Sequence, residues 1–253
     1  MGKKIDRTGE ESYNNFGSKM IIVEYKNNRD IDVYFPEYDW TFEHTQYDNF
    51  KRGNIKCVYE RRTYGVGCLG EGKYKTRENG KQTKCYDTWN NMLKRCYNPK
   101  CQEKHPTYKD CEVCTEWHNF QTFAEWYNDN YYETPGEVMC LDKDILIKSN
   151  KIYSPETCCF VPEKINNLFT KSNKARGKDP IGTHQLPDGN YQAYCNNVNG
   201  LDYLGRFDNI YDAFYVYKVH KEKIIKQRAD EYKQYLPQNV YEALYNYQVE
   251  ITD

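Results

Sequence analysis

The sequence is poor in apolar residues and has no long apolar run. Its 253 residues are 38% hydrophobic, with a mean hydropathy of −1.02. A membrane-spanning helix needs about 18 apolar residues in a row, and no segment of the chain approaches that length. The N-terminal stretch MGKKIDRTGEES also lacks the apolar core of a secretory signal. We therefore expect a soluble protein that stays in the cytoplasm and does not bind a membrane.

The chain also lacks an excess of charge of either sign. Its 36 Lys and Arg residues nearly balance its 37 Asp and Glu residues, which gives a net charge of −1. A protein that binds nucleic acid through its whole surface is usually strongly basic, so any such binding must come from local patches. No phosphate-binding glycine loop, nucleophile elbow or dinucleotide fingerprint is present in the sequence. The glycine-rich residues 65–72 fit none of these motifs and predict a turn between domains.

Tyrosine and cysteine, by contrast, are abundant. The chain has 26 tyrosines, and tyrosine buries apolar area while keeping a polar tip, so we expect several small aromatic cores. The 11 cysteines, in a chain without a secretory signal, favour thiols or metal ligands over disulfides. Their odd number points the same way.

Residues 1–70 have the pattern of short strands. The apolar run KMIIVEY (19–25), a polar turn and the alternating run IDVYF (31–35) predict a β-hairpin. Residues 47–59 predict at least one further strand. The residues expected on the buried face are Ile31, Val33 and Phe35. This segment is therefore interpreted as a small β module, a class that serves more often in binding than in catalysis.

Residues 71–172 predict a pair of helices followed by strands. The apolar residues of the first helix recur at helical spacing: Trp89, Met92, Leu93, Cys96 and Tyr97. Its expected N-cap is Asp87 or Thr88, and Thr115 is the expected N-cap of the second helix. The second helix has its own apolar face: Trp117, Phe120, Ala124 and Tyr127. Residues 137–169 then predict a strand, a loop, a short strand and a helix that begins near Pro162.

Residues 173–253 predict a three-stranded sheet and one long helix. The strands GTHQL, GNYQAYCNN and DYLGRF are separated by two hairpin turns, at residues 188–190 and 199–200. The long helix is expected from about Asn209 to Tyr235 with a short helix after Pro237, and the stripe along the long helix is Ala213, Phe214, Tyr217 and Ile224. We predict an α+β protein of three domains: a small N-terminal β module (1–70), a helical pair with a ββα finger (71–172), and a three-stranded sheet with a long helix (173–253).

Four stretches between residues 85 and 169 follow one another in an informative order: YDTWNNMLKRCYN, YKDCEVCTEWHNFQTFAEW, LDKDI and YSPETCCFVPEKIN. In these stretches the chain resembles the phage and homing-type HNH endonucleases, in which a helical pair precedes a ββα finger. The resemblance implies a phage-type DNA-acting protein, and in its active form a metal-dependent enzyme that hydrolyses DNA phosphodiester bonds. If the chain is encoded by a phage, its location would be the host cell cytoplasm.

An HNH finger cuts DNA with one divalent ion and one general base. The resemblance places the base within residues 141–145, where Asp142 and Asp144 stand without a histidine, and places Asn150 in the loop that orients the base. The two carboxylates would hold Mg²⁺ or Mn²⁺, because hard ions prefer oxygen ligands. An aspartate with a pKa of about 3.9 is a poor general base unless burial raises that pKa.

The alternative for the same residues is structural. The carboxylates of Asp142 and Asp144 can bond to backbone amides of a turn. In that case the finger is a catalytically inactive scaffold that binds DNA or a host protein, as a regulator or as an inhibitor of host defence.

The C-terminal stretches GNYQAY and YLGRFDNIYDAFYVY, in strand-strand-strand-helix order, are similar to the apetala/ethylene-response-factor type of DNA-binding domain. This resemblance implies double-stranded DNA as a partner. The sheet residues that could face DNA are Gln192, Tyr194, Asn196, Tyr203 and Arg206, since Gln and Asn can read adenine and Arg can read guanine. The long helix offers basic residues for phosphate contacts, although an ordinary solvated helix explains them equally well: Lys218, Lys221, Lys223, Lys226 and Arg228.

Two further groups of residues are candidates for binding. One is a basic run without acidic residues, read either as a linker that follows a polyanion or as a solvated charge run: Lys164, Lys171, Lys174, Arg176 and Lys178. The other is a set of cysteines spaced C-x4-C and C-x2-C, which could hold a structural Zn²⁺ ion: Cys96, Cys101, Cys111 and Cys114. In the alternative, Cys96 is a small buried hydrophobe on the apolar face of its helix.

Overall fold

The computed structural model of the protein describes residues 5–170, 179–197 and 200–253. It has mixed helices and antiparallel sheets, which confirms the α+β class. The chain divides into two compact units, one formed by Met1–Lys109 with Val113–Glu125 and the other by Asp110–Glu112 with Trp126–Asp253. Each unit is described separately below. None of the helices within the described ranges is both long enough and apolar enough to cross a membrane.

The first unit begins with a four-stranded antiparallel sheet. Its strands, in spatial order, are β1 (Glu11–Tyr13), β2 (Lys19–Asn27), β3 (Asp30–Phe35) and β4 (Trp40–Thr45). The predicted hairpin is confirmed as β2 and β3, and the alternation along β3 has its expected effect, because Ile31, Val33 and Phe35 are all buried.

The further strand predicted within residues 47–59 is wrong. Tyr47–Lys51 forms a short helix, α1, and residues 52–59 follow without strand structure. The side chains of Phe50, Ile55 and Cys57 fill the core beneath the sheet, so packing rather than alternation decides this segment. Gly53 makes the turn possible: its φ is 66°, and an added Cβ would lie 3.0 Å from the Tyr13 carbonyl oxygen.

The helical pair of the first unit follows a small hairpin formed by β5 (Arg77–Glu78) and β6 (Lys81–Gln82). Helix α2 spans Lys84–Tyr97 and buries the predicted residues Trp89, Met92, Leu93 and Cys96. Its N-cap is Thr83, whose side chain accepts a hydrogen bond from the Tyr86 amide at 3.2 Å. The prediction of Asp87 or Thr88 as the cap is therefore wrong, because the helix begins a full turn earlier than the apolar pattern.

The second helix also begins elsewhere than predicted. Thr115–His118 is a 3₁₀ turn, and α4 spans Phe120–Asn130, so the prediction of Thr115 as its N-cap is wrong. The side chain of Asn119 accepts a hydrogen bond from the Gln121 amide at 2.9 Å and so satisfies the first turn of α4. The predicted apolar residues Trp117, Phe120, Ala124 and Tyr127 are all buried. Between the two helices lie α3 (Pro99–Lys104), a 3₁₀ turn (Pro106–Tyr108) and β7 (Glu112–Val113).

The second unit includes the last residues of α4, from Trp126 onward, and continues with a β-hairpin followed by a short helix, in the order predicted. Strand β8 (Met139–Asp142) pairs antiparallel with β10 (Cys159–Pro162), and β9 (Ile152–Tyr153) lies in the connection between them. Helix α5 (Glu163–Asn166) and a 3₁₀ turn (Asn167–Phe169) come directly after β10.

The rest of the second unit is a three-stranded antiparallel sheet with two helices. The sheet order is β11 (Thr183–Gln185), β12 (Tyr191–Asn197) and β13 (Gly200–Phe207). Helix α6 (Ile210–Tyr232) begins at Asn209, whose side chain accepts from the Tyr211 amide at 2.8 Å, and α7 (Gln238–Tyr245) follows Pro237. The sheet and both helices were predicted in this order.

One apolar core joins the hairpin of the second unit to its C-terminal helices. It contains residues from the connection after β8, from β10 and α5, and from α6 and α7: Ile145, Cys159, Val161, Ile165, Ile225, Ala229, Tyr232, Leu236, Val240 and Leu244. This core fixes the end of β8, where the candidate catalytic residues lie, against two helices.

Candidate functional site

The three candidate catalytic residues lie in the connection after β8, which we call the hairpin loop (residues 142–152). Asp142 is the last residue of β8, Asp144 follows two residues later, and Asn150 precedes β9. Hydrogen bonds within the loop link all three to the backbone or to Lys143. The structure therefore brings these residues into one local network.

Asp142 acts as the anchor of the turn. Its Oδ1 accepts hydrogen bonds from the amides of Asp144, at 2.7 Å, and Ile145, at 2.8 Å. Burial raises the pKa of Asp142 above its ordinary value. The hydrogen bonds from the two backbone amides lower this pKa, and the neighbouring charge of Asp144 raises it. The direction of this shift meets the condition under which an aspartate can act as a general base.

Lys143 is the residue of the loop that sequence reasoning missed. It is only 5% exposed, and its Nζ donates to Asp144 Oδ2 and to the backbone oxygen of Asn150, both at 2.7 Å. The ammonium is therefore a buried cation that is paired within the loop. The only sequence signal is its position between two aspartates, which alone does not predict burial.

Asn150 closes the loop from the other side. Its Nδ2 donates to the carbonyl oxygens of Lys143, at 2.9 Å, and Ile152, at 2.6 Å, and its Oδ1 accepts from the Ile152 amide at 3.2 Å. The resemblance assigns this residue to orienting a base. In the structure, its backbone oxygen holds the ammonium of Lys143.

A divalent ion does not fit this donor set. Asp142 Oδ1 already accepts hydrogen bonds from two backbone amides, and Asp144 Oδ2 is paired with the ammonium of Lys143. An ion bound by these carboxylates would also lie next to a buried ammonium, and like charges at short range in a poorly solvated site repel strongly. The prediction that Asp142 and Asp144 hold Mg²⁺ or Mn²⁺ therefore finds no support in the geometry of the loop.

The cysteines proposed for zinc differ in exposure. Cys96 and Cys111 are buried, whereas Cys101 and Cys114 are half-buried. Burial raises the pKa of the Cys111 thiol, which opposes the thiolate form that zinc requires. Within the described ranges, the one set of at least three His, Cys, Asp or Glu side chains with mutually close ligand atoms is Asp30, Asp32 and His44. The zinc site stays a prediction from the spacing.

The candidate DNA-reading residues share one face of the C-terminal sheet. Gln192 lies opposite Arg206, and Tyr194 lies opposite Tyr203, with ring centroids 5.3 Å apart. Tyr203 and Arg206 are three residues apart on β13, a spacing that would separate their faces, but a bulge between the two pairs restores the register. We call the surface formed by these four residues and Asn196 the open sheet face.

The opposite face of the same sheet is covered. Ala193 and Cys195 alternate with Gln192 and Tyr194 along β12 and are 0% and 1% exposed. Helix α6 packs against β12 on that side, with Phe214 and Tyr217 in a shared cluster with Cys195. On the open sheet face, Tyr203 is 56% exposed. One face of the sheet thus belongs to the core and the other offers polar and aromatic side chains.

The basic candidates are only partly described. The Lys164 ammonium lies 2.6 Å from Glu137 Oε1, so its charge is neutralised within the protein. The other four residues of the basic run lie outside the described residues: Lys171, Lys174, Arg176 and Lys178. On α6, Lys218 pairs with Glu222, and Lys221 is buried, so the interpretation of Lys221 as a surface contact to phosphate is wrong.

No protein-family model, curated protein or solved structure matches this chain.

Proposed function

We propose that this protein binds double-stranded DNA through the open sheet face, and that its hairpin loop is a structural scaffold that does not cut DNA. The observation that carries the proposal is the register of β12 and β13. It aligns Gln192 with Arg206 on the face opposite the one against which α6 packs, and these side chains can read adenine and guanine edges.

The charges on this face are compatible with DNA. Arg206 pairs with Asp188, and both side chains are about half exposed. An exposed pair of this kind contributes little, roughly 0–1 kcal/mol, so the guanidinium can exchange Asp188 for a base edge or a phosphate. Tyr194 and Tyr203 add apolar area and hydroxyl groups beside it.

The network of the hairpin loop supports the second half of the proposal. A general base must be able to take up a proton, and a metal ion must find anionic oxygens. Lys143 provides a cation in the place where both functions would be required, and Asp144 and Asn150 both accept hydrogen bonds from it. The loop therefore resembles a nuclease loop in sequence while its contacts serve folding.

The test is binding of a labelled DNA duplex measured by fluorescence anisotropy at several salt concentrations. Replacing Arg206 by Ala should cost about 1–3 kcal/mol of binding free energy if it reads a base. The matched control is Arg52→Ala, because Arg52 also forms an exposed pair with an aspartate, Asp48, in the first unit. Equal affinity of Arg206→Ala and wild type, or no DNA binding by the wild type at low salt, would refute the proposal.

A metal-dependent DNA endonuclease is the second candidate. The observation in its favour is that Asp142, Asp144 and Asn150 lie together in one loop at the end of β8, where burial raises the pKa of Asp142. Supercoiled plasmid incubated with Mg²⁺ or Mn²⁺ should then be nicked by the wild type and left intact by Asp142→Asn. Cleavage that depends on Asp142 would refute the proposal of a structural scaffold and support a nuclease. A plasmid that stays intact with both proteins would support the scaffold.

A further inference from the structure

A cavity of the second unit lies beside α6 and shares Tyr194 and Asn196 with the open sheet face. Its volume is about 780 Å³, which falls within the range of about 300–1,000 Å³ typical of small-molecule sites. Its wall is formed by α5 and the 3₁₀ turn after it, the sheet and the segment before it, helix α6 and the segment after α7.

Lys221 is the unusual residue of this cavity. It lies on the buried stripe of α6 between Tyr217 and Ile225, and it is only 9% exposed. Within the described ranges, no hydrogen bond or ion pair reaches its ammonium. Burial lowers the pKa of Lys221, and the weak opposing influence comes from Cys195. A lysine is rarely buried in this way unless something pairs with it.

No described Asp or Glu side chain pairs with Lys221, and the residues outside the described ranges include no Asp or Glu. These residues are MGKK, KSNKARGK and VN. The acidic residue that lines the cavity, Asp253, is held by Lys148, with Nζ 2.9 Å from Oδ2. The other lysine of the wall, Lys164, is neutralised by Glu137. Among the described residues of the wall, the charged group that has no partner is therefore the Lys221 ammonium.

The rest of the wall is suited to a flat ring. Phe169 and Tyr247 form an aromatic pair with ring centroids 4.8 Å apart, and Tyr194 contributes a third ring. Asn167 and Asn196 also line the cavity, and a side-chain amide can both donate to and accept from the edge of a nucleobase. Base–aromatic stacking is a common source of affinity for single nucleotides.

We propose that this cavity binds a nucleoside monophosphate, with the phosphate paired to Lys221 and the base against the aromatic wall. A ligand without an anionic group would leave the ammonium buried and unpaired. A bare phosphate would leave the aromatic wall unused. The nucleotide is either free in solution or part of a nucleic-acid strand, and the cavity does not depend on the proposed binding of duplex DNA.

The test is titration calorimetry of the full chain with the four deoxynucleoside monophosphates, with deoxyadenosine and with inorganic phosphate. At least one nucleotide should bind, and both deoxyadenosine and inorganic phosphate should bind at least about tenfold more weakly, because each keeps only one of the two contacts. No nucleotide binding, or equal binding of inorganic phosphate, would overturn the proposal.

Two variants locate the binding. Lys221→Met should weaken nucleotide binding about tenfold or more by removing the charge-assisted contact. Lys233→Met, which changes an exposed lysine directly after α6, should leave binding unchanged. Equal affinity of Lys221→Met and wild type would refute the site, and an unchanged circular dichroism spectrum shows that the variant is folded.

A final comparison separates the two sources of the nucleotide. If a single-stranded oligonucleotide binds in a Lys221-dependent manner and competes with the free monophosphate, both sources use the cavity. If the oligonucleotide does not compete, the ligand is a free nucleotide. Loss of duplex binding in Arg206→Ala with retained binding of the monophosphate would show that the two proposals are independent.

Discussion

Replacing Lys221 by Met should make the protein more stable, although it removes a polar group. The side chain is 9% exposed and has no described acceptor, so the folded state carries the cost of desolvating an ammonium without a hydrogen bond in return. Methionine has a similar length and suits an apolar stripe between Tyr217 and Ile225. We expect a gain of about 1–3 kcal/mol near neutral pH, equivalent to a rise in Tm of about 2–10 °C.

The gain should depend on pH in a defined direction. Because the pKa of Lys221 in the folded protein is lowered from 10.5, the unfolded chain binds more protons than the folded one in the interval between the two values. Stability of the wild type therefore rises with pH in that interval. The cost of burying Lys221 is fully present below the folded-state pKa and disappears above 10.5, so the advantage of Lys221→Met should shrink as the pH approaches 10.5.

Other ionisable groups near Lys221 could contribute to the same pH dependence, and the comparison of variants controls for them. These groups are Cys195, Tyr217, Lys164, His184, Tyr194, Tyr247 and Asp253. The assay is thermal unfolding followed by far-ultraviolet circular dichroism from neutral to alkaline pH. Lys223→Met should differ from wild type by no more than about 0.5 kcal/mol. A Lys221→Met protein that is less stable than wild type at neutral pH would refute the reasoning.

Three further predictions concern helix α2 and the hairpin loop. Thr83→Ala should cost about 1 kcal/mol of unfolding free energy in urea titrations because it removes the N-cap of α2, while Thr88→Ala should cost less; the reverse order would restore Thr88 as the cap. Lys143→Met should cost about 1–3 kcal/mol, since it leaves the buried oxygen of Asn150 without its donor, and an unchanged midpoint would contradict the network. Asp142→Asn keeps an acceptor for the turn and removes a carboxylate whose pKa is raised in the folded state. It should therefore stabilise the protein at neutral pH. The gain should disappear below pH 3.8, where the carboxyl group is protonated in both the folded and the unfolded state.

The elements that the sequence predicted best are those in which one period governs many residues. The alternation of Ile31, Val33 and Phe35 identified β3, and the helical spacing in α2 identified its buried face. Local periodicity fails where a few residues fill space beneath another element. Phe50 and Ile55 pack under the sheet from α1 and the segment after it, so their spacing follows the shape of the core and not that of a strand.

The features of the candidate sites were harder to predict, because hydropathy patterns treat every lysine as a surface residue. Lys221 is four residues after Tyr217 and four before Ile225, so the helical period does place it on the buried stripe once those two residues are known to be buried. The spacing thus indicates that Lys221 is buried, whereas its charged side chain predicts that it is exposed. Lys143 has no comparable signal, since its burial depends on the carbonyl oxygen that Asn150 contributes from seven residues away.

The two buried lysines of the second unit show why burial alone does not define a binding site. Lys143 is 5% exposed and has two oxygens at 2.7 Å, so its charge is used inside the fold and no ligand is needed to explain it. Lys221 is 9% exposed and lacks a described acceptor, yet it borders a cavity of about 780 Å³. A buried ammonium without a partner among the described residues would gain a charge-assisted contact from an anionic ligand. This contrast makes the cavity beside Lys221, rather than the hairpin loop, the place in this protein where an anionic ligand should be sought first.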